Sequence, residues 1–184
     1  MQELSMNILD IAQNSVRAEA SLIEISLALT TSSKQQTLII KDNGCGMDAE
    51  MAARVTDPFC TSRTTRKVGL GLPFLKMAAE MTGGTLTIAS TPGKGTTITA
   101  TFTMGHIDLA PIGDMGATMS ALVGANPDID FIYTFIYNGK SFVFDTRAAR
   151  EILDGVPLSE PAVAVFIREH VSERIDEIIT NTGE

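Results

Sequence analysis

The stretch LIEISLAL, residues 22–29, alternates Ile23, Ile25, Leu27 and Leu29 with Glu24 and Ser26, the two-residue period of a half-buried strand. A strand with one apolar face has to bury that face, so the rest of the chain must supply a sheet and a cover for it. TLIIK makes a second strand that runs into DNGCGM, while TLTIAS and TTITATFTM, joined by the turn TPGKG, make a hairpin. Residues 5–19 read as a helix with Ile8, Ile11, Ala12 and Val16 on one side and Asp10, Gln13, Asn14 and Arg17 on the other. A short helix is expected from Asp48 to Val55. After Gly71, LPFLKMAAEMT has helical spacing, tolerates Pro73 in its first turn and stops at Gly83 and Gly84. Four strands with helices before and between them predict an α+β two-layer sandwich, its helices on one face of the sheet.

Past Gly105 the texture changes. A weak helix over Ile112–Val123, strands DFIYTFIY and SFVFDT flanking the tight-turn pair Asn138 and Gly139, and two further helices are expected. The last helix runs from about Pro161 to Ile179 with Val163, Phe166, Ile167, Val171, Ile175 and Ile178 as its apolar face. The expected division is therefore residues 1–104 as the main domain and 105–184 as a small extension. Charge divides at the same place: residues 1–104 carry nine Lys and Arg against nine Asp and Glu, the remainder five against thirteen, so the whole net charge of −8 lies in the extension. No clustered basic surface of the kind that tracks a phosphate backbone is present, which argues against nucleic acid. MQELSMNILD has no basic region followed by an apolar run, and no uninterrupted apolar stretch approaches the roughly 18 residues of a membrane span. The expectation is a cytoplasmic chain with Cys45 and Cys60 as reduced thiols.

Three short segments carry candidate chemistry. In VGLGLPF the glycines Gly69 and Gly71 stand at the start of a helix, whose unpaired N–H groups and partial positive charge suit a phosphate; a loop entering a buried helix is the plainer reading. In DNGCGM, Asp42 ends a strand with Gly44 and Gly46 behind it, which reads as a turn or as an acceptor for an exocyclic amine beside a backbone that a flat ring approaches closely. On the first helix Asp10, Asn14 and Arg17 share a face, either a solvated one or a station for Mg²⁺ and phosphate. Arg63, Arg66 and Lys67 add positive charge before the glycines.

Taken in order, LDIAQNSVRAEA, DNGCGM, DPFCTSRTTRKVGLGLPF and TGGTLTIASTPGKGTTITATF resemble the GHKL ATPase superfamily of gyrase B, Hsp90, histidine kinases and MutL, over about residues 3–104. The resemblance implies a Bergerat fold, in which helices and a mixed sheet enclose ATP beneath a lid. It implies that Asn14 ligates Mg²⁺, that Asp42 binds the adenine amino group, that Gly44, Gly46 and Met47 shape the adenine pocket, and that the Thr96 hydroxyl helps hold the base. Residues Asp57–Val68 become the lid, with Lys67, Gly69, Leu70 and Gly71 at the phosphates and Arg17 balancing their charge. Asp10 stands four residues before Asn14, where hydrolytic members usually carry Glu. The side chain is one methylene shorter, which predicts slow, water-bridged or absent hydrolysis. NSVRAEASLIEISL resembles the MutL branch, and the lid with GGTLTIASTPGKGTT the histidine-kinase branch.

The functions this implies are a stand-alone protein kinase acting on a protein partner, as anti-sigma-factor serine kinases do, with Asp10 orienting the acceptor hydroxyl; an ATP-driven switch without phosphotransfer; and, less favoured, a MutL- or gyrase-type clamp. Neither histidine reads as a phosphoacceptor: His106 sits at a boundary and His170 on the apolar side of the last helix. The partner expected is a protein, a second copy of this chain included, with neither nucleic acid nor membrane.

Overall fold

The computed structural model describes residues 3–57 and 70–181. Helix α1 spans Leu4–Arg17, β1 Leu22–Thr30, β2 Gln35–Asp42, α2 Ala49–Arg54, α3 Gly71–Met81, β3 Leu86–Thr91 and β4 Gly95–Thr103. Then come α4 (Met115–Ala125), β5 (Asp130–Tyr137), β6 (Lys140–Asp145), α5 (Thr146–Leu153) and α6 (Pro161–Thr180). The strands form one sheet in the order β3-β4-β2-β1-β5-β6. Strands β1 and β5 run parallel and the other neighbouring pairs antiparallel, so the sheet is mixed.

Register follows from the alternation. A single row crosses all six strands as Ile88, Ile98, Ile40, Ile25, Tyr133 and Phe144, and a second as Leu86, Ala100, Leu38, Leu27, Phe135 and Phe142. A one-residue slip of any strand would turn its apolar set to water, so these rows fix the pairing. Helices α1, α3 and α6 pack on this face, and α4 packs on α1 and α6. Ile8, Ile11 and Ala12 of α1 and Leu72, Leu75 and Ala79 of α3 are buried there. Burying each large aliphatic side chain contributes about 1.5–3 kcal/mol. On the other face β4 presents Thr97, Thr99, Thr101 and Thr103, half-buried or exposed.

The two expected parts of the chain share this sheet. The hairpin β5–β6 pairs along β1 from Leu22 to Leu29 and covers what four strands alone would leave as an edge. The extension also closes the N-terminus of α1: Pro111 and Ile112 carbonyls accept hydrogen bonds from the N–H groups of Leu4 and Ser5 at 2.9 and 2.8 Å, satisfying two donors that a helix end leaves unpaired. Helix α4 begins three residues later than its pattern suggests, because Gly113 has a positive φ of 81° and Asp114 caps the helix, its Oδ1 accepting from the N–H of Ala117 at 2.7 Å. The α4–α6 approach is close. A methyl group on Gly116 would lie 2.3 Å from the Arg168 carbonyl oxygen. His170 lies between Phe142 and Phe166, edge-on to one ring and stacked on the other, a packing role.

Candidate functional site

One pleat beyond the all-apolar row, the same sheet face carries Ser90, Thr96, Asp42, Ile23 and Phe131 as cross-strand neighbours. Register thus brings three polar side chains together at one end of an apolar surface. Asp42 is buried, and its carboxylate collects three donors. Ser15 Oγ donates to Oδ2 at 2.6 Å, and the N–H groups of Gly44 and Thr96 donate to Oδ1 at 3.0 and 3.3 Å. Charge-assisted bonds of this kind hold a carboxylate in place more firmly than neutral ones. Ser90 Oγ accepts from the N–H of Met47 at 2.8 Å and lies 2.9 Å from Thr96 Oγ1.

The loop after Asp42 is wedged between α1 and the β3–β4 turn. Asn43 Oδ1 accepts from the N–H groups of Ser21 and Leu22, both at 2.9 Å, pinning the connection between α1 and β1. A side chain at Gly44 would meet the Ala18 carbonyl at 2.6 Å, so this glycine lets the loop come close to the residue that ends α1. Gly46 has φ of 65°, and a side chain there would meet the Thr91 carbonyl at 2.1 Å. Cys45 N–H donates to the Ala18 carbonyl, and the Cys45 carbonyl accepts from Gly93, each at 2.8 Å.

Between α1, α2 and the ends of β2 and β4 lies a cleft of about 600 Å³. Ile11, Met47, Met51, Val55, Leu72 and Ile98 supply apolar walls. Asn14, Ser15, Arg17, Asp42 and Thr96 supply the polar groups. A few placed polar groups in an apolar concavity of this size are the usual make-up of a small-molecule site. Asn14 and Arg17 meet as expected from their spacing: Arg17 Nη1 donates to Asn14 Oδ1 at 3.1 Å. Asn14 Nδ2 is buried without a partner among the described residues.

Asp10 is exposed and outside the lining of the cleft. Its Cβ lies 3.0 Å from where a Cβ on Gly71 would stand, so Gly71 is the point at which the start of α3 docks on α1. Leu70 precedes α3 as its capping residue and is exposed. Lys67 and Gly69, together with Arg63, Arg66 and Cys60, lie outside the described residues, as does the expected lid apart from Asp57.

Site residues not anticipated from the sequence include Ser15, Met51, Val55, Leu72 and Ile98 on the cleft wall, and Ser90 bonded to Thr96. For Ser90 a signal existed, since it continues the inward parity of Leu86 and Ile88. Ser15 follows Asn14 directly, on the helix side that turns to the sheet. Chemically the cleft offers acceptor oxygens at its closed end and an amide and a guanidinium towards its mouth, a distribution suited to a ligand with N–H donors at one end and anionic oxygens at the other. Among the described residues, no group of three or more His, Cys, Asp or Glu side chains gathers to hold a metal by itself, and no helix is long and apolar enough to cross a membrane.

Comparison with known proteins bears on the same residues. Residues 1–106 match the family described as histidine kinase-, DNA gyrase B-, and HSP90-like ATPase. The signal transduction histidine-protein kinase AtoS of Escherichia coli is 34% identical over 97 residues, 52% of this chain and 16% of that protein. Sporulation kinase D of Bacillus subtilis is 32% identical over 94 residues, 51% of this chain and 18% of that protein. The chain thus matches under a fifth of the length of these relatives. The crystal structure of the N-terminal domain of a DNA repair protein superposes with a TM-score of 0.53 at 17% identity, over 78% of this chain and 52% of that one, which shows a shared fold. The mixed sheet packed on helices is the Bergerat arrangement, and this chain belongs to the histidine kinase-, DNA gyrase B- and HSP90-like ATPase family, with residues 1–106 as its ATP-binding domain.

Proposed function

We propose that the cleft binds the adenine end of Mg-ATP at Asp42 and Thr96, and that the chain transfers the γ-phosphoryl group to a hydroxyl of a separate protein partner. The observation that carries this reading is the gathering of three donors on one buried carboxylate at the closed end of the cleft, with Asn14 and Arg17 on its wall. An ionised carboxylate has about four lone-pair sites, so three internal bonds leave Asp42 capacity for one more donor from a base. Magnesium keeps several waters and takes phosphate oxygens, so a single protein oxygen suffices; Asn14 Oδ1 supplies it once Arg17 turns from that oxygen to phosphate. When bound, the ion neutralises charge on the phosphates. Arg17 adds a second positive group there. In the transfer, a bond forms from the acceptor oxygen to the γ-phosphorus, the bond from that phosphorus to the bridging oxygen breaks, and the hydroxyl proton passes to Asp10 directly or through water.

Kinases among the relatives support phosphoryl transfer as the reaction class. A second reading, ATP binding as a conformational switch, draws support from the contact of Asp10 with Gly71: α1 and α3 pack against each other and come close there, so a ligand that moved either would move both. Incubation with γ-labelled ATP, alone and with cell extract, tests the proposal. Label on an extract protein supports transfer; slow phosphate release with no labelled protein supports the switch and counts against transfer.

A further inference from the structure

Counting protons at the closed end of the cleft shows a polarity that the identities of its residues do not. A serine hydroxyl has one proton and two lone pairs. Ser90 Oγ has three neighbours: the Gly95 carbonyl oxygen at 3.1 Å, the Met47 N–H at 2.8 Å and Thr96 Oγ1 at 2.9 Å. Ser90 donates its proton to that carbonyl, which can only accept. The amide only donates, so it takes one lone pair. What is left for Thr96 is the second lone pair, and Thr96 therefore spends its own proton on Ser90. The Ser15 proton is spent on Asp42 Oδ2 at 2.6 Å. Every side-chain oxygen that Ser15, Asp42 and Thr96 bring to the cleft wall is thus an acceptor with its protons committed behind it.

We propose that Ser90, which is bonded to Thr96 and lies outside the lining of this cleft, on the wall of an adjoining cavity that Asp42 and Thr96 also line, is a positioning residue that fixes Thr96 as an acceptor and so makes this end of the cleft select a base edge with an exocyclic amine over one with a 6-oxo group. The inference rests on the reading that an adenine nucleotide occupies the cleft. Without Ser90 the Thr96 proton is released and the hydroxyl becomes free to donate to a 6-oxo oxygen. Sequence parity places Ser90 on the inward face for this purpose, in register with Thr96.

Calorimetric titration of the full chain with ATP and with inosine triphosphate, which differ at the 6-position and N1, tests this. Wild type is expected to prefer ATP. In Ser90→Ala the ATP-to-inosine-triphosphate affinity ratio is expected to fall by about tenfold, the worth of roughly one hydrogen bond gained or lost. Ser90→Thr, which keeps the hydroxyl, is expected to restore the wild-type ratio. A merely structural role would weaken both nucleotides equally in Ser90→Ala, and an unchanged ratio in a folded variant overturns the proposal. Should Ser90→Ala fail to fold, Thr96→Val removes the acceptor itself and is expected to lower the same ratio; an unchanged ratio there overturns the proposal as well. Wild-type protein that binds neither nucleotide contradicts the occupancy of the cleft, and this inference falls with it.

Discussion

Asn14 Nδ2 and the Tyr133 hydroxyl are both buried with no hydrogen-bond partner among the described residues, and each is a cost that the fold carries for a different reason. Asn14 lines the cleft, and on the proposed reading its side chain serves the bound nucleotide. Functional sites commonly carry stability costs of this kind. Asn14→Ala is expected to abolish the Mg²⁺ dependence of ATP binding while leaving the unfolding free energy within about 1 kcal/mol of wild type or slightly above it. Titration with and without Mg²⁺, with a urea melt beside it, checks both halves. Tyr133 lies in the middle of the apolar row with no cleft to serve. Burial pushes its hydroxyl well above the ordinary tyrosine value of 10.0. Because the unfolded chain loses that proton first, the stability Tyr133 shares is full below pH 10 and declines above it, by about 1.4 kcal/mol per pH unit. Tyr133→Phe is expected to raise stability near neutrality by about 1 kcal/mol and to remove its share of the alkaline decline. Urea unfolding at pH 7 and again above pH 10 measures both.

At the scale of elements the site depends on how closely the β3–β4 turn is set against the end of β2. Gly95 has φ of 105°, and a side chain there would meet the Asp42 carbonyl at 1.9 Å. Gly95→Ala is therefore expected to destabilise the protein by at least about 1–3 kcal/mol and to weaken nucleotide binding, since strain at that backbone is passed to Asp42 itself. Thermal unfolding with a parallel titration reads the two effects. What the sequence disclosed followed from regular periods. The alternation in LIEISLAL and TLIIK set the strands and their buried faces, the spacing of Ile8, Ile11 and Ala12 set the buried side of α1, and Asn138 with Gly139 marked the β5–β6 hairpin. Asp42, Asn14, Arg17, Gly46, Met47 and Thr96 were legible because their motifs are short and ordered, and they do meet around one cleft. The packing neighbours of Gly44 and Gly71 were not, since a glycine in a motif signals close approach without saying what approaches: Ala18 stands next to one and Asp10 next to the other. Cross-strand partners such as Ser90 and Thr96 are a matter of register, which no local pattern prints.

For the whole molecule, the parallel pairing of β5 with β1 is the contact that local signals could not supply, because it joins strands about a hundred residues apart and needs the intervening helices to bring it about. Its consequence is mutual dependence. A chain ending at residue 106 loses the cover on the β1 edge, the carbonyls of Pro111 and Ile112 that close α1, and the buried Phe131, Tyr133 and Phe135 that extend the core beside β1. That fragment is expected to lack a cooperative unfolding transition or to aggregate, as judged by calorimetry and sedimentation, even though it contains every site residue. The acidic part of the chain thereby supports the neutral part that carries the cleft. Calorimetric titration of the full chain with Mg-ATP, in wild type and in Asp42→Ala of equal helical content, tests the central claim most directly. The account predicts saturable one-to-one binding in wild type and its loss in Asp42→Ala. No heat in wild type, or equal affinity in the two proteins, would contradict it.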